Sequence, residues 1–167
     1  MNKLIIHHTA VPGTSNQLMA VNRYHKEKWN MKSELGWYVG YTHFIDKDGT
    51  LTQTRTPFEE SAHTIGHNGG GNIAVCIAGD FRVEKMNAEQ VSMLRKFINL
   101  VGPHHETFFH NELQDNRSCP GFDREWFNKT FLTMDDKETK IKDMQKTLDS
   151  IREVLLKMYL YLKNINR

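Results

Sequence analysis

The sequence is poor in several features that would assign it to common classes of protein. It has only two cysteines, Cys76 and Cys119, which is too few for a disulfide framework. Its apolar runs are far shorter than the roughly 20 residues that a membrane-spanning helix needs. The run after Met1 is also too short for the core of a signal peptide. We therefore expect a chain made in a reducing cytosol, with no membrane partner.

Neither sign of charge dominates the composition. The 167 residues include 22 basic and 20 acidic side chains, a balance that does not indicate a nucleic-acid partner. Hydrophobic residues make up 38% of the chain, enough for one folded domain with a short appendage. Histidine is the exception to this ordinary composition, because all nine histidines lie at or before His110. Their distribution is the first indication of function.

Short β-type segments and helical patterns alternate irregularly over residues 1–132. Strands are predicted at Lys3–His8, in a hairpin around the Asp46–Gly49 turn, at Asn72–Ala78 and at Glu106–His110. Helices are predicted at Asn16–Trp29 and from Asn87, with Gln90 completing a capping box, to Gly102. The sequence therefore predicts an α/β domain of the mixed α+β kind, with a central mixed β-sheet flanked by helices.

Histidine and cysteine side chains could form a metal site. Zinc prefers imidazole nitrogen and thiolate sulfur, and catalytic zinc sites use three protein ligands. His7, His110 and Cys119 would supply such a set. No two of them form a short metal motif, so strand-end histidines and a buried core cysteine stay the alternative interpretation at this point.

Five motifs follow one another in a fixed order along residues 3–128. They are Ile5–Ala10, Tyr41–Gly49, Ala62–Asn68, Ile73–Gly79, and His110 followed by Ser118-Cys119-Pro120. In this order they resemble the zinc-dependent N-acetylmuramoyl-L-alanine amidases of the phage-lysozyme and peptidoglycan-recognition-protein superfamily. The resemblance implies a mixed sheet flanked by helices, with a groove that holds one zinc ion per chain.

Three positions match the zinc ligands of that family: His7, His110 and Cys119. Strand alternation supports His7 rather than His8, because neighbouring strand residues point to opposite faces. The loop after His110 is one residue longer than is common in the phage members. His104 and His105 are the competing candidates for the second ligand, although no matching pattern follows them.

The resemblance also implies roles beside the metal. Tyr41 matches a tyrosine that could hydrogen-bond the nucleophilic water or the developing oxyanion, with a half-buried strand tyrosine as the alternative. Arg117 stands where phage members carry a lysine that could stabilise the negative charge of the intermediate. A solvated loop arginine is its alternative. The substrate-side candidates are His63, His43, which we expect to share a strand face with Tyr41, and Arg55.

The tail has a different pattern, with no glycine, proline or histidine in residues 134–167. Apolar residues recur there at alternating steps of three and four: Ile141, Met144, Leu148, Ile151, Leu155, Met158, Leu162 and Ile165. This spacing predicts a coiled-coil-like helix, so that residues 133–167 assemble several copies of the chain. A single amphipathic helix folded back on the catalytic domain is the alternative.

The resemblance implies an enzyme that hydrolyses the amide bond between N-acetylmuramic acid and L-alanine in peptidoglycan. The lack of a signal peptide fits a phage endolysin that stays in the cytoplasm until it is released to the cell wall. A non-catalytic peptidoglycan-binding module is one alternative, but such modules lack the cysteine that Cys119 provides here. A secreted antibacterial amidase effector is the other.

Overall fold

The computed structural model describes residues 2–132 and 144–155. The chain divides into two units, Met1–Asp123 and Arg124–Arg167. The first unit carries the sheet and all of the predicted site residues. The predicted domain boundary at residue 132 falls later than this division, just after the first helix of the second unit.

A five-stranded mixed sheet forms the centre of the first unit. Its strands are β1 (Asn2–His8), β2 (His43–Ile45), β3 (Leu51–Gln53), β4 (Ile73–Ile77) and β5 (His105–Phe109). They lie in the order β3-β2-β4-β1-β5. β1 runs parallel to β4 and β5, whereas β2 runs parallel to β4 and antiparallel to β3. The predicted fold class is confirmed.

The two central strands are covered on both faces. Every residue of β4 is buried, and so are the residues from Leu4 to His8 in β1. Strands in this position are apolar along their whole length rather than at every second residue. This explains the continuous apolar run of β4 and the apolar residues Leu4–Ile6 in the middle of β1.

Helix α2 (Ala88–Val101) forms as its local sequence predicts. The Asn87 side chain accepts a hydrogen bond from the Gln90 N–H, and the Gln90 side chain accepts one from the Asn87 N–H. This reciprocal capping box satisfies two of the N–H groups that a helix start leaves free. Leu94, Phe97 and Ile98 are its buried apolar side chains.

Helix α1 (Leu18–Trp29) starts later than the predicted Asn16. Its cap is the carboxylate of Asp46, which accepts from the backbone N–H groups of Gln17 at 2.6 Å and Leu18 at 3.1 Å. A carboxylate at a helix N-terminus also interacts favourably with the helix dipole. The start of α1 is therefore set by the hairpin turn and not by its neighbours in sequence.

Two further helices have simple descriptions. The short α3 (His110–Leu113) follows β5 directly. In the second unit, α4 (Arg124–Phe131) buries Phe127 and Phe131, whose ring centroids are 5.0 Å apart. Neither helix was predicted from the sequence.

Residues 144–155 form a further helix, α5, on which every side chain is exposed. Four of the predicted heptad positions lie on it: Met144, Leu148, Ile151 and Leu155, exposed by 66%, 57%, 51% and 59%. The other four, Ile141, Met158, Leu162 and Ile165, lie outside the described residues. Among the helices in the described part of the chain, none has the length and apolar character to cross a membrane.

Candidate active site

The three predicted zinc ligands lie together at one edge of the sheet. His7 is near the carboxyl end of β1, and His110 follows the parallel neighbour β5 immediately. The loop after α3 brings Cys119 to the same place. The Sγ of Cys119 is 3.7 Å from Nδ1 of His7, and the His7 and His110 ring centroids are 4.5 Å apart. One ligand atom from each residue lies within 4.8 Å of the others.

The outer nitrogens of both histidines have protein partners. Nε2 of His7 is 3.3 Å from the Thr64 hydroxyl, and Nε2 of His110 is 3.0 Å from the Gln114 side-chain oxygen. The amide oxygen can only accept, so His110 carries its proton on Nε2 and keeps the lone pair of Nδ1 for a metal. Such outer partners orient metal-binding imidazoles. The donor set and its surroundings therefore fit zinc.

Burial keeps all three candidate ligands uncharged in the absence of a cation. It is the largest cause of a lowered pKa at both His7 and His110, and neighbouring imidazoles contribute at His7. Burial also raises the pKa of Cys119 to about 12, although the backbone N–H of His8 and the cations of Arg117 and Arg82 act in the opposite direction. A neutral imidazole is ready to bind a metal, whereas the thiol loses its proton when a cation coordinates the sulfur.

Tyr41 and Arg117 lie beside these ligands. They line a cavity of about 240 Å³ together with His7, His110 and Cys119, which we call the His-Cys pocket. The Tyr41 ring centroid is 5.1 Å from that of His7. Burial raises the pKa of Tyr41 well above its usual value, so its phenol stays protonated at neutral pH and can donate a hydrogen bond.

His63 lies on the other side of His7, with ring centroids 5.3 Å apart. Its Nδ1 is 3.0 Å from the Thr64 hydroxyl, which also contacts Nε2 of His7. If the His7 N–H donates to this hydroxyl, the hydroxyl donates to Nδ1 of His63, and Nε2 of His63 carries a proton. That Nε2 atom is buried without a hydrogen-bond partner among the described residues. With this arrangement of protons, His63 has one unused donor beside the candidate ligands.

The structure does not bring His43 to the His-Cys pocket. Its ring packs against Phe97 of α2, with centroids 4.7 Å apart, and burial lowers its pKa to about 4. Its expected place on the face of Tyr41 assumed regular alternation. The Thr42 hydroxyl instead accepts from Ala74 N–H and donates to the Ala74 carbonyl, so this side chain replaces part of the backbone pairing before β2 begins.

Arg55 is also outside the pocket. Its side chain is buried and donates to three backbone carbonyls, those of Met31, Val39 and Glu60. These bonds connect three separate loops of the first unit. The structure therefore gives Arg55 a role in holding loops together.

An aromatic groove adjoins the His-Cys pocket at Tyr41. This α1 groove has a volume of about 530 Å³, and its lining includes Tyr24, His25, Lys28 and Trp29 of α1. The Gly40 N–H donates to Nδ1 of His25 at 2.9 Å, which attaches α1 to the segment before Tyr41. A Cβ atom at Gly40 would lie 2.6 Å from the Ala62 carbonyl oxygen, so only glycine fits this close approach.

Sequence reasoning missed several residues of this region. Thr64 lies within the quoted Ala62–Asn68 motif, and Gln114 is four residues after His110, where one helical turn brings two side chains together. Those positions were signals that could have identified both partners. Arg82, which also lines the His-Cys pocket, gave no comparable signal because its partner Asp80 and its position become apparent only in three dimensions.

Comparisons with known proteins agree with this geometry. The model of the N-acetylmuramoyl-L-alanine amidase family matches residues 1–122. The endolysin of Escherichia phage T7 is 26% identical over 151 residues, which cover 80% of this chain and 90% of that protein.

Two solved structures share the fold. The amidase LysC from Clostridium intestinale URNW has a TM-score of 0.61 and 22% identity, over 77% of this chain and 83% of that one. Bumblebee PGRP-SA has a TM-score of 0.65 and 19% identity, over 79% and 82% of the two chains. The fold is that of the amidases and peptidoglycan recognition proteins. The chain belongs to the N-acetylmuramoyl-L-alanine amidase family, and it is a peptidoglycan amidase.

Proposed function

We propose that this chain is a zinc-dependent endolysin that cleaves the amide bond between N-acetylmuramic acid and L-alanine. The observation that carries the proposal is the convergence of His7, His110 and Cys119, with their ligand atoms within 4.8 Å, beside the phenol of Tyr41. The likeness to the phage T7 endolysin supports the biological role. In that role the protein would stay in the cytoplasm until release and then act on the cell wall.

The protein's own residues would place the reacting groups. One zinc ion, when bound by the three ligands, supplies a Lewis acid for the carbonyl and lowers the pKa of water. Thr64 and Gln114 hold the two imidazole rings through their Nε2 atoms. The Tyr41 phenol donates a hydrogen bond to the amide oxygen as negative charge develops there. Arg117 lines the same pocket, where its positive charge would also stabilise the negative charge of the intermediate.

The substrate would extend away from the His-Cys pocket along the α1 groove. Tyr41 belongs to both cavities, so a bound chain can be continuous across them. Aromatic side chains in the groove offer flat apolar surfaces to a sugar ring or a peptide. His63 lines neither of the two cavities, so we assign it to positioning His7 through the Thr64 hydroxyl that both rings contact.

We also propose that residues 134–167 assemble the chain into a homo-oligomer. The four heptad residues of α5 expose their apolar side chains, and a stripe of this kind is buried when helices associate. Linking several active sites would favour repeated cleavage on a polymeric substrate, because the second site acts at a high effective concentration.

Muropeptide mass spectrometry combined with metal analysis tests the catalytic proposal. We expect one zinc per purified chain, and digestion products in which a free L-alanine amino group appears together with a newly formed lactyl carboxylate. Products cleaved within the stem peptide or between sugars would contradict the proposed bond. Binding to peptidoglycan without cleavage would indicate a recognition module instead.

A further inference from the structure

Arg82 lines the His-Cys pocket, but it is not one of the three candidate zinc ligands. It is also distinct from Tyr41 and Arg117, to which the catalytic roles are assigned. Its guanidinium is held by Asp80 through two parallel hydrogen bonds, Nε to Oδ1 at 2.7 Å and Nη2 to Oδ2 at 2.6 Å. The Asp80 carboxylate is buried, whereas the Arg82 side chain is 48% exposed. One edge of the guanidinium is therefore fixed to the protein, and the other edge is open.

The carboxylate that holds Arg82 is itself well fixed. Asp80 donates its backbone N–H to the carboxylate of Glu84 at 2.8 Å, and Glu84 is paired with Lys47 at 2.7 Å. Hydrogen bonds from Arg82 lower the pKa of Asp80 to about 2. Asp80 is therefore an anion at any pH at which the enzyme would work, and the orientation of Arg82 is maintained.

Close backbone packing places Arg82 next to Cys119. Gly121, two residues after the cysteine, has a φ of +91°, and a Cβ atom there would lie 2.8 Å from the backbone nitrogen of Arg82. The loop that contains Cys119 and the loop that contains Arg82 thus contact each other directly. The positive charge of Arg82 accordingly opposes the rise in pKa that burial causes at the Cys119 thiol.

The open edge of Arg82 suits a carboxylate. Nη1 has no hydrogen-bond partner among the described residues, and a guanidinium binds carboxylates with a matching planar geometry. Pre-orientation by Asp80 reduces the side-chain entropy that binding would otherwise cost. In peptidoglycan the sugars near the scissile amide are uncharged. The nearest anion is the free α-carboxylate of the second stem residue, a glutamate linked through its side chain.

We propose that Arg82 binds this α-carboxylate and makes the enzyme selective for stem peptides in which it is not amidated. The proposal rests on the amidase function proposed above. It assigns Arg82 to substrate selection, separate from the zinc ligands and from Tyr41. Asp80 acts as a positioning residue, because it contacts Arg82 and not the substrate.

The test uses the full chain loaded with zinc and two soluble muropeptides. They differ only in whether the second stem residue carries a carboxylate or a carboxamide. We expect the wild type to prefer the carboxylate form by about tenfold to a hundredfold in kcat/KM, mainly through KM, as is typical of hydrogen bonds to charged groups. Arg82→Gln should abolish this preference, so that the two forms of the muropeptide have nearly equal kcat/KM values in the variant.

Two further variants separate recognition from structure. Lys85→Gln removes the same charge from an exposed position outside the pocket, so it should keep the full preference. Asp80→Asn should reduce the preference while zinc content is retained, because Arg82 is then less well oriented. Equal cleavage of both muropeptides by the wild type, or an unchanged preference in Arg82→Gln, would overturn the proposal. Failure of the wild type to cleave either muropeptide would instead count against the proposed amidase function.

Discussion

The His-Cys pocket and helix α5 use their side chains in opposite ways. In the pocket, each candidate ligand is buried or half-buried and has a partner in the same chain, such as Thr64 for His7 and Gln114 for His110. On α5, the apolar residues Met144, Leu148, Ile151 and Leu155 are all more than half exposed. The pocket is thus assembled within the first unit, whereas the apolar stripe of α5 would be covered only by further packing. Substitutions in the pocket should therefore change zinc binding and hydrolysis, whereas changes in the tail should alter the association of chains.

The largest effect is expected from Cys119→Ala. Removing one of three protein ligands should abolish both zinc binding and hydrolysis, because the two histidines alone hold the ion weakly. Metal analysis of the purified protein, with turnover of labelled peptidoglycan, measures both. Cys76→Ala is the matched control for metal content alone, since that cysteine is buried in β4 and is not one of the candidate ligands, but its thiol is hydrogen-bonded to the Tyr41 side chain.

His7→Ala and His8→Ala form a second pair for the same measurement. We expect His7→Ala to lose zinc and His8→Ala to keep it, because His8 contacts Cys119 through its backbone N–H, which alanine preserves. Zinc loss in His8→Ala with retention in His7→Ala would contradict the assignment.

Tyr41→Phe should retain zinc and folding but turn over slowly. Loss of one oxyanion donor costs about 2.7–4 kcal/mol in other enzymes, roughly a hundredfold to a thousandfold in kcat. Steady-state kinetics on a soluble muropeptide gives this value, with metal content as the control. A kcat close to that of the wild type would return Tyr41 to a packing role.

Gln114→Ala should weaken zinc binding by about tenfold to a hundredfold, the usual effect of removing an outer partner of a metal-binding histidine. Competition with a zinc chelator measures the dissociation constant without reference to activity. Gln53→Ala, on the edge strand β3, is the matched control and should leave the constant unchanged. Equal zinc affinity in both variants would remove Gln114 from the site.

A smaller effect is expected in the pH dependence of stability. Burial lowers the pKa of His43 to about 4 from an ordinary value of 6.5. Between these values the unfolded chain binds a proton that the folded chain does not, so the free energy of unfolding falls as pH decreases from 6.5 to 4. Urea unfolding of wild type and His43→Gln at pH 7 and pH 5 should show a weaker pH dependence in the variant. An identical dependence would contradict the assignment to His43.

The smallest effect on catalysis is expected from removing the tail. A chain that ends at Thr133 should be smaller than the full-length assembly by light scattering, while its kcat on a small muropeptide is unchanged. Residues 134–167 contain no histidine, so the association should also be insensitive to pH between 5 and 7. A monomeric full-length protein would contradict the oligomer and favour packing of the tail within its own chain.

Local sequence determined some features of this fold well. The Asn87–Gln90 capping box needs only neighbouring residues, and the apolar run at β4 reflects burial on both faces. The start of α1 could not be predicted in this way, because its cap, Asp46, comes from a distant turn. Similarly, the alternation rule failed at His43, because β2 begins only at this residue and the Thr42 hydroxyl accepts the hydrogen bond from the Ala74 N–H.

In the candidate site, too, some residues could be predicted from the sequence and others depend on contacts between distant segments. The order of motifs was sufficient to propose His7, His110, Cys119 and Tyr41, which the structure brings to one pocket. It was not sufficient for Arg55, which was a substrate-side candidate but whose guanidinium nitrogens donate to three backbone carbonyls and pair with the Glu59 carboxylate. Charge alone does not distinguish these roles, because the partners of a long side chain depend on which loops meet in space.

The sequence positions of the candidate ligands would also determine when the enzyme can first work. His7 and Cys119 are 112 positions apart in the sequence, so the pocket brings together nearly the first and the last segments of the first unit. During synthesis, a chain still attached to the ribosome has no complete ligand set until the Cys119 segment has emerged. If His7, His110 and Cys119 are the zinc ligands, an incomplete translation product that ends before Cys119 would therefore be unable to hydrolyse peptidoglycan.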